Sequence, residues 1–166
     1  TVDPLNDAPT AVDFADTTTE LDENTSTATA IHLADILVTD DALGTNVLSL
    51  SGDDAAYFSI VDGELFLNVG VTLDFETQAS YSVIVSVDDE DVGDTPDAEH
   101  TFVLSVTNID PTIPTDSNAS SNQVLEGAAI GTAVGITASS TDIHGPAVIY
   151  SLTNSAGGRF AINSST

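Results

Sequence analysis

Apolar and polar residues alternate most regularly at Tyr81, Val83, Val85, Val87 and Asp89, a period of two that predicts a half-buried strand. The same period marks a strand near Val12 to Phe14, another at Val47, Leu48 and Leu50, and a last one at Phe102, Leu104 and Val106. Ile31, Leu33, Ile36 and Val38 also read as a strand, but the alternation slips between Leu33 and Ile36, which predicts an irregularity within it. Phe58 and Ile60, then Asp62 and Gly63, then Leu65 and Leu67 predict a tight hairpin, because Asp-Gly suits a turn that needs positive φ at both central residues. Glu64 is expected to be a solvent-facing acid of that hairpin. Between these runs lie polar turns at 21–24, 44–46 and 51–54, and a stretch from Asp88 to Asp97 whose charge predicts an exposed loop.

About seven short strands with no amphipathic helix predict an all-β fold, an antiparallel β-sandwich of roughly 100 residues. After Val106 the pattern begins again. Asn108 repeats Asn6 and Asp142 repeats Asp40 at a separation of 102, Glu126 repeats Glu23 at 103, and Phe160 with Ile162 repeats Phe58 with Ile60 at 102. A shared offset predicts tandem units. The expected division is a connector at 1–9, a complete repeat at 10–107, a linker at 108–116, and the N-terminal half of a second repeat at 117–166. Strands of that half are expected near 123–125, 130–138, 147–152 and 159–162, in a unit looser than the first.

Charge changes this picture more than composition does. Of 166 residues, 27 are acidic and one, Arg159, is basic apart from three histidines, giving a formal net charge of −26. Such a chain is a poor partner for nucleic acid, where Lys or Arg must displace counterions, and for anionic membrane surfaces. A hydrophobic fraction of 41% sets it apart from acidic disordered tails. Either solvent dilutes the charge over a folded surface, or bound cations neutralise part of it. With no cysteine, no disulfide staples the fold. The start of the chain lacks the basic and apolar regions of a signal peptide, so targeting signals are expected elsewhere in a longer protein.

Asp74 and Glu76 sit at the entrance of the strand that begins near Tyr81, where a rigid sheet can present oxygen atoms to a hard cation. Catalytic groupings are not legible. His32, His100 and His144 are scattered, with no zinc spacing and no Ser-His-Asp set around them, so no enzyme activity is expected. The run from Asp88 to Asp94 lacks the alternating ligands and the twelfth-position glutamate of an EF-hand.

The series Asp22-Glu23-Asn24, Asp40, Phe58 and Ile60, Leu73-Asp74-Phe75-Glu76, then Tyr81 to Asp89, resembles a cadherin repeat, in particular the cadherin-like tandem repeats of large bacterial surface and secreted proteins. The resemblance covers 6–110 and continues, truncated, through 111–166. It implies a Greek-key β-sandwich and Ca²⁺ held between successive repeats. One implied site uses Glu23, Asp74, Glu76, Asn108, Asp110 and Asp142; the other, at the opposite end of the first repeat, uses Asn6, Asp7, Asp40 and Asp89, with Asp41 in place of an acid missing at Ala42. Pro111, His144 and Gly127 depart from the family's ligand pattern, which implies one or two ions instead of a full set. The implied role is a calcium-stiffened segment of a long extracellular or cell-surface bacterial protein, an adhesin or a spacer, with neighbouring repeats as its partners. A glycan- or protein-binding module attached to a secreted hydrolase is the alternative.

Overall fold

The computed structural model describes residues 3–93 and 95–163. Thr1, Val2, Asp94 and 164–166 lie outside the described residues, as do the parts of the expected connector, acidic loop and second repeat that fall on them. The chain divides into two compact units, Thr1–Asn108 and Ile109–Thr166.

The first unit is an all-β sandwich of two four-stranded sheets. One sheet has β1 (Ala11–Ala15), β3 (Ile31–Thr39), β6 (Glu64–Leu67) and β5 (Phe58–Val61) side by side in that order. In the other the order is β2 (Glu20–Asp22), β8 (Ala98–Thr107), β7 (Ser80–Asp89) and β4 (Asn46–Ser51). Pairing is antiparallel except between β2 and β8, which run parallel. β2 lies where a polar turn was expected. Its three residues are held because Leu21 packs against the core while the backbone pairs with Ser105 to Thr107. A short 3₁₀ turn, Ala55–Tyr57, follows the expected polar turn before β5.

Facing side chains of the two sheets make the core. Leu33, Leu65 and Leu67 come from one sheet and Val83, Val85, Val87 and Leu104 from the other, all fully buried. Each such side chain contributes roughly 1.5–3 kcal/mol relative to exposure. The hairpin turn has φ 53° at Asp62 and 85° at Gly63, both in the left-handed region, as its Asp-Gly sequence requires. The slip in β3 is a register shift between His32 and Ala34 that turns both Leu33 and Ala34 inward.

In the second unit the described strands are β9 (Thr115–Asp116) and β10 (Ala138–Ser139). The strands expected near 123–125, 147–152 and 159–162 are not formed, and of 130–138 only Ala138 is paired. Isolated strands need a partner and an apolar face to pack on. Among the described residues, none of the buried apolar core belongs to this unit, and Leu125, Ile130 and Ile149 stand exposed. Its local order centres on Asp116, which accepts bonds from the Thr137 and Asn118 amides and from Asn122 Nδ2 at 2.9, 3.0 and 3.0 Å. These bonds, that of Thr137 foremost, hold the Asp116 carboxyl below its ordinary range.

Candidate metal centre

Strand β7 carries one end of the sandwich to the other. Ten residues at about 3.3 Å each span roughly 30 Å, so the acids before its start and those at its finish lie far apart.

At the finishing end, the inward series of β7 runs on past Val87 to Asp89, leaving a carboxylate 2% exposed at the rim of an apolar core. Asn6 Nδ2 donates to Asp89 Oδ2 at 3.1 Å and the Asp91 amide to Asp89 Oδ1 at 3.1 Å. These bonds, the one from Asn6 first, hold the Asp89 carboxyl below its ordinary range against the opposing effect of desolvation. Gly44, at φ +69°, leaves the room they need, for a Cβ there would stand 1.9 Å from Asp89 Oδ2.

Around this pair the acids are only partly satisfied. Asp40 Oδ2 accepts from Asn46 Nδ2 at 2.8 Å, and Asp97 Oδ2 from the Asp89 amide at 2.8 Å. Yet Asp40 Oδ1, Asp88 Oδ1, Asp97 Oδ1 and Asn6 Oδ1 are buried with no hydrogen-bond partner. Asp41 is differently placed. Its oxygens accept from the Asp7 amide at 3.2 Å and the Leu43 amide at 2.8 Å, so it shapes the turn that brings the N-terminal segment alongside. Asp7 is exposed and takes part through that amide.

Asp88 and Asp97 correct the expected exposed loop. Asp88 belongs to β7, and both residues are partly buried with an orphaned oxygen. Asp88 alternates with Asp89 along β7 and so faces the other side of the sheet; Asp97 comes near Asp89 only through the fold of the loop.

At the starting end, Glu23 is 2% exposed and accepts from the Phe75 amide at 3.4 Å. Its own amide bonds Thr107 O at 3.1 Å, which anchors it to the last residue of β8. A carboxylate oxygen of Glu76 lies within 4.8 Å of one of Glu23. Asp74 accepts from the Thr77 amide at 2.9 Å and from Thr77 Oγ1 at 2.8 Å, and so closes the turn that presents Glu76. Asn108 ends this unit, exposed. Asp110, exposed, and Asp142, partly buried, belong to the second unit.

Four of the 27 acids (Asp110, Asp116, Glu126 and Asp142) lie in the second unit, leaving 23 in the first, which has no Lys or Arg. Burying a carboxylate without a compensating charge is costly. His32 and His100, the only basic side chains of this unit, pair elsewhere, with Asp35 at 3.0 Å and Asp13 at 3.5 Å. The donors at the β7 finish are all oxygen and partly unsatisfied, which is the chemistry a hard cation such as Ca²⁺ takes, although among the described residues no three of these acids bring their oxygens within 4.8 Å of one another.

The architecture is a cadherin-like β-sandwich. The chain is similar to human protocadherin-24 EC1-2 in its second crystal form, with TM-score 0.51 and 22% identity over 82% of this chain and 62% of that one. Similarity to Drosophila N-cadherin EC1-4 has TM-score 0.50 and 22% identity, over 82% of this chain and 34% of that one. The chain thus spans less than two thirds of either structure, and the likeness is one of fold. No protein-family model and no curated relative matches the chain.

Proposed function

We propose that this chain is a calcium-binding, cadherin-like segment of a bacterial extracellular or cell-surface protein, with a stiffening or adhesive role and no catalytic one. The observation that carries the reading is the set of orphaned, buried oxygens of Asn6, Asp40 and Asp97 around buried Asp89, in a unit without a lysine or arginine. A bound Ca²⁺ supplies the positive charge that the chain itself lacks there.

The proposed ligands are therefore Asn6, Asp40 and Asp89, joined by Asp97, with Asp7 and Asp41 positioning the segment that carries Asn6. At the other end the proposed ligands are Glu23 and Glu76, with Asp74 holding the turn; Asn108, Asp110 and Asp142 are proposed as ligands on the family resemblance alone. The division into a connector at 1–9, a repeat at 10–107, a linker at 108–116 and a half repeat at 117–166 belongs to the same proposal.

The test is thermal unfolding in chelator and in Ca²⁺. A hundredfold excess over the dissociation constant adds about 2.7 kcal/mol. At about 4–8 °C per kcal/mol for a domain of this size, the melting temperature rises by roughly 10–20 °C. An unchanged melting temperature refutes the proposal.

A further inference from the structure

The outer face of the β1-β3-β6-β5 sheet carries a second convergence of ligand atoms, which the calcium reading leaves unused. In an unbroken strand, residues three apart point to opposite faces. The bulge between His32 and Ala34 removes that constraint: with Leu33 and Ala34 both buried, His32 and Asp35 emerge on the same outer face. Across the ladder, Glu64 stands opposite Asp35 and Phe66 opposite His32. The imidazole lies edge-on to Phe66, with ring centroids 5.5 Å apart at 76°, which fixes its direction. As a result His32 Nε2 is 3.0 Å from Asp35 Oδ1 and 4.0 Å from Glu64 Oε2, and one ligand atom from each of the three lies within 4.8 Å of the others.

Two carboxylates directly opposite each other weaken a ladder, and a cation shared between them reverses the sign. The separations also fit one. A tetrahedral dication with bonds of about 2.0–2.1 Å sets its ligand atoms roughly 3.4 Å apart, a value that the 3.0 and 4.0 Å distances bracket. Ligand chemistry then distinguishes this group from the acids at the ends of the sandwich. Ca²⁺ takes oxygen, whereas an imidazole nitrogen beside two carboxylates suits zinc and its first-row neighbours.

We propose that His32, Asp35 and Glu64 form a site for a divalent first-row transition metal, with Zn²⁺ as its occupant. His32 binds through Nε2, each carboxylate through one oxygen, and water completes the coordination on the solvent side. The side chains are 35%, 41% and 47% exposed, so the metal exchanges freely with solution. Once bound, it fastens β3 to β6 at the bulge, where the ladder is interrupted.

Zn²⁺ titrated calorimetrically into the chain in excess Ca²⁺, and Co²⁺ followed by its visible absorption, test the site. One metal per chain is expected, with the absorption band of a tetrahedral Co²⁺ centre. His32→Gln abolishes the band. Asp35→Asn and Glu64→Gln each weaken binding by at least about tenfold, since even outer-shell partners of a metal site are worth 10–100-fold. His100→Gln and His144→Gln leave binding unchanged, and thermal unfolding of every variant in Ca²⁺ alone establishes that it folds. Absence of saturable binding, a band that survives His32→Gln, or equal loss in His100→Gln overturns the proposal, leaving His32 as a hydrogen-bonding partner of Asp35 only.

Discussion

Replacing Gly44 by alanine strikes the Asn6–Asp89 pair without touching either residue. The new methyl carbon would stand 1.9 Å from Asp89 Oδ2, 2.6 Å from Asn6 Nδ2 and 2.8 Å from Asn6 Oδ1. Contact distances are about 3.5–4.0 Å, so the pair has to separate. Two costs add: roughly 1–2 kcal/mol for an L residue in the left-handed region, and about 1.5–3 kcal/mol for a hydrogen bond to a charged group. Gly63→Ala isolates the first cost, because Gly63 has φ +85° and nothing within 4 Å of a Cβ. In chelator, urea unfolding should therefore find Gly44→Ala less stable than Gly63→Ala by about 1.5–3 kcal/mol. Calcium sharpens the contrast. If Asn6 and Asp89 help to hold the ion, the stabilisation that Ca²⁺ confers shrinks in Gly44→Ala and persists in Gly63→Ala. Equal losses in chelator, or a full calcium response in Gly44→Ala, would refute the reasoning.

Two further outcomes follow from the buried acids. Glu23→Gln keeps an acceptor for the Phe75 amide but removes a charge whose oxygen lies within 4.8 Å of one of Glu76, a repulsion of roughly 3.5 kcal/mol at that separation and an effective dielectric near 20, less what solvent screens at the exposed Glu76. The variant should therefore match or exceed the parent in urea midpoint in chelator and fall below it in Ca²⁺; the same order in both media contradicts the ligand role. Asp89 sets an acid limit: its folded carboxyl titrates below the ordinary value of 3.8, so its contribution to stability is complete above that value and is lost as pH falls through the depressed one. Asn6→Ala removes the main cause and should move the Asp89 titration upward, as followed by carboxyl carbon resonances in chelator, whereas an unmoved curve would mean that Asn6 is not that cause.

Where a constraint is local, the sequence carried it. Asp62 and Gly63 needed no distant partner to specify their turn, and the alternation through β7 placed Asp89 inward along with Val87. What was not legible depends on contacts between distant residues. β2 exists only because Leu21 meets a core and its backbone meets β8, more than 80 residues on. Nothing in the sequence set Asp35 beside His32, and the slip after Leu33 marked only an irregularity; Glu64, expected simply to face solvent, stands with them. Asp97 joins Asp89 through the closure of a loop whose composition looked only soluble. In the second unit, the repeat at a shared offset suggested strands that its exposed apolar residues do not form.

The parallel seam between β2 and β8 has a mechanical consequence. When the two ends of this unit are pulled apart and β1 has come away from β3, β2 is drawn toward its N terminus and β8 toward its C terminus. Because the strands run in the same direction, those pulls oppose each other along the seam. The pairing of Glu20, Leu21 and Asp22 with Ser105, Val106 and Thr107 is then loaded lengthwise, together with the bond from Thr107 Oγ1 to Asp22 Oδ1 at 2.6 Å. An antiparallel pair in that place would peel open one rung at a time, whereas this one shares the load across all its rungs. The three residues that made the least impression as a strand thus sit where tension along the chain is borne.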